Sequence, residues 1–255
     1  MPTEKVYDVA NLGYSHLICL GWVPQGSRVL EFGPATGYLT RAMRDDLGCK
    51  VTGFESSREA AAKAARYCDR ILVGDIENPE AWRELDPPYT VAIFLDVLEH
   101  LHEPWLALRR CREMLAPDAL LIVSVPNIVH WTIRRELLRG RFDYSERGIL
   151  DNTHLRFFTR KTLLDMLIEC GFEPIVVEAT PAPYPGDRFC HRIGLSWPKR
   201  HMNNLATWLF PNVFAYQYLV QCRLAPTAPN SVPAAGDLAK VEAEERKNLS
   251  GQRLG

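Results

Sequence analysis

The stretch Val29-Leu30-Glu31-Phe32-Gly33-Pro34-Ala35-Thr36-Gly37-Tyr38-Leu39-Thr40 constrains the fold more than any other. Residues 28–32 are few and carry the apolar, partly β-branched Val29, Leu30 and Phe32, which predicts a short buried strand. Leu39, Ala42 and Met43 recur at helical spacing, which predicts a helix directly afterwards. Gly33 and Gly37 bracket the turn between them. Glycine accepts positive φ and, lacking Cβ, lets a ligand approach the main chain. A strand, a glycine turn and a helix N-terminus in succession form the nucleotide corner of an open α/β sheet.

The spacing narrows the ligand. A dinucleotide turn reads G-x-G-x-x-G and seats a pyrophosphate on the helix N-terminus. Here the pattern is G-x-x-x-G, with Ala35 in place of the middle glycine. Glu31 lies two positions before Gly33, at the strand's end. A carboxylate there suits a cationic ligand better than a pyrophosphate. S-adenosylmethionine, with a sulfonium, an ammonium and no phosphate, meets that requirement.

The rest of the chain alternates. A helix is predicted over 5–21, and strands over 50–55, 70–73, 90–95 and 120–125. Between them come a Ser56- or Ser57-capped helix to residue 68, a short helix over 79–85, and a helix from Pro104. The last carries Trp105, Leu108, Cys111 and Leu115 on one face and is expected to stop at Pro117-Asp118. The run TVAIFL is apolar throughout, as a parallel strand covered on both faces should be. Residues 128–139 read as a helix and 140–153 as irregular. Thr159 caps a further helix that Gly171 closes. Strands are expected over 173–178 and 214–224, with a short helix over 201–210. Such alternation predicts a parallel sheet with helices on both faces.

In such a sheet the ligand lies at the carboxyl ends of the strands. That rule sets Glu31–Gly37, Glu55, Asp75 and Asp96–His100 along one rim. Glu55 is placed to accept hydrogen bonds from ribose hydroxyls, Asp75 from an adenine amino group, with Ile76 over the ring. The plainer alternatives are a helix-flanking acid and a turn-forming Asp. Asp96-Val97-Leu98-Glu99-His100-Leu101 packs charge after an apolar strand, and His100 is suited to take a proton from a nucleophile. A second cluster, Asp151-Asn152-Thr153-His154-Leu155-Arg156-Phe157-Phe158, combines aromatic, imidazole and guanidinium groups. The two phenylalanines suit the core, whereas His154 and Arg156 suit a polar ring substrate. Arg134, Arg135, Arg139, Arg141 and Arg147 form a basic run, either a solvated face or a guide for a phosphate-bearing acceptor.

Taken in order, VLEFGPATG, GFE, VGDIE, FLDVLEHL and LAPDALLIVSVPN resemble the motifs of class I S-adenosylmethionine-dependent methyltransferases. The block GRFDYSERGILDNTHLRFFTRKTLLDMLIECGF resembles a bacterial branch often encoded near glycan or natural-product genes. The resemblance implies a Rossmann-like seven-stranded sheet of order 3-2-1-4-5-7-6, strand 7 antiparallel, and S-adenosylmethionine as methyl donor. The donor's expected contacts are Glu31, Gly33, Ala35, Gly37, Glu55, Ser56, Asp75, Ile76, Leu95 and Asp96. Expected catalytic residues are His100, His154 and Asp96, and expected acceptor contacts are Asn127, Tyr144 and Arg156. Asp96, Glu99, His100 and His154 further resemble the ligand set of metal-dependent 2′-O-methyltransferases of small RNAs, so a divalent cation is an alternative. Residues 1–225 are expected to form the methyltransferase domain, 181–212 an acceptor-side insertion, and 226–255 a disordered tail. Transfer to oxygen of a small-molecule or glycan-like acceptor is the favoured reaction, with nitrogen as the alternative.

Composition supports this and excludes other classes. Formal net charge is −1, so no overall field favours nucleic acid. The seven cysteines form no Cys-x-x-Cys pair and are expected to be reduced thiols. No secretion signal or membrane span is expected, which predicts a cytoplasmic protein. A nicotinamide reductase would need G-x-G-x-x-G and a Tyr-x-x-x-Lys relay, and neither occurs. A non-catalytic ligand-binding relative remains the other rival.

Overall fold

The computed structural model describes residues 12–182 and 205–226. In chain order the elements are α1 (Tyr14–Trp22), β1 (Arg28–Phe32), α2 (Tyr38–Leu47), β2 (Lys50–Glu55), α3 (Arg58–Ala64) and β3 (Arg70–Val73). A 3-10 turn (Pro79–Glu84) leads to β4 (Tyr89–Leu95), α4 (Pro104–Glu113), β5 (Leu115–Pro126), α5 (Trp131–Leu138), α6 (Arg160–Glu169), β6 (Phe172–Pro181) and β7 (Ala215–Leu224). The seven strands form one sheet in the order β3-β2-β1-β4-β5-β7-β6. β7 runs antiparallel to both neighbours, and the remaining pairs are parallel. The strand order reverses between β1 and β4, which is where such sheets open a crevice for ligand.

Both faces of the central strands are covered. Val91 and Ile93 of β4 join one buried cluster with Val29, Met43, Val51 and Ile122. Ala92 and Phe94 point the other way and join Phe32, Phe54, Trp82 and Leu98. Register aligns Phe32 with Phe54 on one side and Phe94 on the other. The Phe32 and Phe94 rings stack at 4.1 Å, and Trp82 packs against Phe32 at 5.2 Å. The Trp82 indole N–H donates to the Ile76 carbonyl at 2.7 Å, so the aromatic row also fixes the chain after β3.

Several predicted boundaries move. α1 starts at Tyr14, and residues 5–11 of the predicted helix lie outside the described residues. α3 spans Arg58–Ala64, with the Ser57 side chain accepting the Ala60 N–H. α4 ends at Glu113 rather than at Pro117-Asp118, because Leu115 is already paired with Tyr89 at the start of β5. Thr159 caps α6, and Gly171 follows it at φ 84°, as expected. A helix occupies 205–209; residues 201–204 of that prediction, most of the 181–212 insertion, and nearly all of the 226–255 tail fall outside the described residues. The six described cysteines are free thiols. Among the described residues, no helix is long and apolar enough to cross a membrane.

Candidate active site

A cleft of about 420 Å³ opens where β1 and β4 part. Gly33 and Ala35 of the glycine turn form one side, and Leu95, Asp96, Glu99 and His100 the floor. Arg147, Gly148, Asp151 and His154 close it from the loop after α5, while Tyr216 and Gln217 enter from β7. His16 of α1 and Tyr38 of α2 complete the wall.

The glycine turn takes positive φ at three of its five residues. Gly33 sits at φ 66°, Ala35 at φ 50° and Gly37 at φ 81°. A Cβ on Gly37 would approach the Ala64 Cα to 2.9 Å, and one on Gly33 would approach Val97 Cγ2 to 2.9 Å. Glu55 anchors the turn from the next strand. One carboxylate oxygen accepts the Ala35 N–H at 3.0 Å and the other the Ser57 N–H at 2.9 Å. Glu31 is buried beneath the turn and accepts the Thr40 hydroxyl at 2.6 Å. Burial pushes its carboxyl up to about 7, with the Thr40 hydrogen bond opposing and the nearby Glu55 charge adding to the rise.

Asp96 takes φ 55° where the chain leaves β4. Its carboxylate accepts hydrogen bonds from the Ser124 hydroxyl, at 3.0 Å, and from the Gln217 amide. Glu99 is 1% exposed, and among the described residues neither of its carboxylate oxygens has a hydrogen-bond partner. Burial, reinforced by Asp96 and Asp151, holds its carboxyl well above the ordinary range. His100 Nδ1 lies 3.1 Å from the Thr153 carbonyl and His154 Nδ1 lies 3.0 Å from the Ile149 carbonyl. A carbonyl only accepts, so each Nδ1 carries a proton, and in the neutral ring each Nε2 presents a lone pair. One ligand atom each from Glu99, His100 and His154 lies within 4.8 Å of the others. His16 accepts the Gly13 N–H on Nδ1, which leaves its Nε2–H to donate to the Tyr38 hydroxyl at 2.8 Å. Burial lowers its pKa to about 4, so it is neutral at pH 7.

The cleft gathers Gly33, Ala35, Leu95, Asp96, His100 and His154 as anticipated. It does not bring together the three strand-end acids. Glu31 and Glu55 lie behind the glycine turn, with Gly37 and Ser56 beside them. Asp75 is exposed and accepts the Glu77 N–H at 2.8 Å, forming a turn. Ile76 is buried in the core. Three expected acceptor contacts lie outside this cleft. Asn127 is wholly buried: its amide donates to the Ala215 carbonyl at 2.8 Å and its oxygen accepts the Val129 N–H, tying β5 to β7. The Arg156 guanidinium binds the His102 carbonyl and lies over Trp105, outside the cleft. Tyr144 is exposed against Phe142 and Phe157. Asp96 also stands apart from the three-ligand cluster, since Ser124 and Gln217 engage it. His16, Tyr38, Tyr216 and Gln217 were not anticipated as site residues, and of the basic run only Arg147 lines the cleft.

Residues 15–177 match the family described as "Methyltransferase domain". The chain belongs to the class I S-adenosylmethionine-dependent methyltransferases. Among curated relatives, a ubiquinone biosynthesis O-methyltransferase of Bradyrhizobium diazoefficiens is 31% identical over 113 residues, covering 44% of this chain and 43% of that one. Another, from Cereibacter sphaeroides, is 28% identical over 165 residues, covering 59% and 62%. The match thus spans about half the length of these relatives. A magnesium protoporphyrin IX methyltransferase of Synechocystis, solved with bound S-adenosylhomocysteine, shares the fold at TM-score 0.53 and 16% identity, covering 82% of this methyltransferase chain and 78% of its own.

Proposed function

We propose that this methyltransferase moves a methyl group from S-adenosylmethionine to a hydroxyl oxygen of a small acceptor. The observation that carries the reading is one cleft holding the glycine turn and two imidazoles whose Nε2 atoms are lone-pair nitrogens. The relatives named as O-methyltransferases favour oxygen over nitrogen. The residues present suit the donor: the positive-φ turn keeps side chains out of the cleft's mouth, and Asp96 supplies negative charge on its floor. Bound there, the cofactor supplies an electrophilic methyl on sulfur.

The chain's own contribution is position and proton handling. Glu55 holds the glycine turn through the Ala35 N–H and the start of α3 through the Ser57 N–H. Gln217 and Ser124 fix the Asp96 carboxylate. The proton leaving the acceptor hydroxyl goes to His100 Nε2, with His154 as the neighbouring base. Saturable calorimetric binding of S-adenosylmethionine or S-adenosylhomocysteine is the expected result, and its absence defeats the proposal.

A metal-assisted form of the reaction has one observation in its favour. The unpartnered Glu99 carboxylate beside two lone-pair nitrogens is a donor set that suits a divalent cation. Glu99, His100 and His154 would hold it, and its chemistry would be to lower the acceptor hydroxyl's pKa. Metal analysis of protein purified without chelator tests this form. No bound metal, with activity unmoved by chelator, leaves His100 as the base acting alone.

A further inference from the structure

Arg147 lines the same cleft as the glycine turn. Its loop is closed on itself. The Ser145 hydroxyl donates to the Arg147 carbonyl at 2.8 Å, the Ser145 N–H to the Leu150 carbonyl at 2.8 Å, and the Asn152 N–H to the Ser145 carbonyl at 2.9 Å. Arg147 is therefore presented by a compact turn rather than by a loose arm. Among the described residues its guanidinium makes no hydrogen bond or ion pair, although Asp96 and Asp151 line the same cleft. Both of those carboxylates are engaged, Asp96 by Ser124 and Gln217, and Asp151 by Thr153.

Tyr216 reaches the same wall from β7. A Cβ on Gly148, at φ 103°, would come 3.0 Å from the Tyr216 hydroxyl, so the glycine beside Arg147 lets that hydroxyl approach. Burial and the Asp96 charge raise the Tyr216 pKa, which keeps it an O–H donor at neutral pH. A guanidinium and a phenol on one wall form a donor pair for an oxyanion.

Building on the methyltransferase reading, we propose that Arg147 and Tyr216 select an acceptor carrying an anionic group, a carboxylate or phosphate, alongside the hydroxyl that is methylated. The donor's own carboxylate is the competing partner, and the test separates the two. Protein loaded with S-adenosylhomocysteine is titrated with 3,4-dihydroxybenzoate, with its methyl ester, and with 3,4-dihydroxybenzyl phosphate. At least one anion is expected to bind at least tenfold tighter than the ester, and the tighter of the two identifies the anion. Arg147→Met should weaken that anion about tenfold and leave the ester and S-adenosylhomocysteine unchanged, while Arg147→Lys restores part of the loss. Tyr216→Phe should produce a smaller loss in the same direction. Equal binding of anions and ester, binding of none of them, or weaker S-adenosylhomocysteine binding by Arg147→Met overturns the assignment. Failure of the unsubstituted protein to bind S-adenosylhomocysteine overturns the methyltransferase reading instead.

Discussion

His100 and His154 meet edge to face across the cleft, ring centroids 4.8 Å apart and planes at 71°. They arrive from different directions. His100 belongs to the short turn after β4, and His154 to the loop between α5 and α6. The loop is tied back to the turn by the Leu155 and Arg156 N–H groups, which both donate to the Glu99 carbonyl at 2.7 and 3.0 Å. Two main-chain hydrogen bonds therefore set the spacing of the imidazoles.

Substitution of either imidazole is expected to strike turnover more than donor binding. His100→Asn keeps a polar side chain but removes the basic Nε2, and should lower kcat by about 10²–10⁴-fold. S-adenosylhomocysteine affinity, read by calorimetry, should stay within a few-fold of the unsubstituted protein. A matching collapse in donor affinity would instead make His100 part of the cofactor's seat.

Glu99 gives a stability test. Its folded carboxyl is held far above the usual range, so the folded state holds a proton that the unfolded chain gives up near pH 4.5. Stability is fully present below that pH and falls as pH climbs toward the raised value. Glu99→Gln removes the penalty. Its gain in Tm over the unsubstituted protein should be larger at pH 8 than at pH 5, by thermal unfolding in a metal-free buffer. Equal Tm differences at the two pH values would contradict the burial-driven shift.

The parts of the site carried by parallel strands were legible because the chemistry is local. An apolar run with an acid at or just beyond its end recurs at β1, β2 and β4, and after β1 the positive-φ glycine turn follows directly. The wall from β7 was not legible. Tyr216 and Gln217 sit in an alternating antiparallel strand, and alternation distinguishes two faces without saying which one borders a cleft. Asn127 misled for a related reason. A polar residue after a buried strand looks the same whether it meets a ligand or satisfies main chain, and here the main-chain groups at Ala215 and Val129 claim it. Arg156 found a carbonyl and the Trp105 ring that no spacing rule could supply.

Glu31 links cofactor binding to protons. With its carboxyl raised to about 7, it is partly protonated at neutral pH. A cationic cofactor over the turn favours the ionised form. Binding of S-adenosylmethionine at pH 7 should therefore release a fraction of a proton, and binding of S-adenosylhomocysteine, which lacks the sulfonium, a smaller fraction. Calorimetry in buffers of different ionisation enthalpy measures both. Glu31→Gln should abolish the buffer dependence, and unchanged release in that variant would place the proton elsewhere.

Gly33 and Gly37 should respond unequally to alanine. Both occupy the left-handed region, where a side chain costs about 1 kcal/mol or more. What each new Cβ meets then decides the difference. At Gly33 it meets a methyl of Val97, the end of a side chain that can turn aside. At Gly37 it meets the Ala64 main chain, the Ala64 Cβ and the Tyr67 ring, where α3 packs against the start of α2. Relief there requires the two helices to separate. Gly37→Ala is expected to lose about 1–3 kcal/mol more stability than Gly33→Ala in denaturant unfolding. Gly33→Ala, whose Cβ borders the cleft, should instead show its larger effect on S-adenosylhomocysteine affinity. The reverse ranking would mean that α3 does not pack against the turn as described.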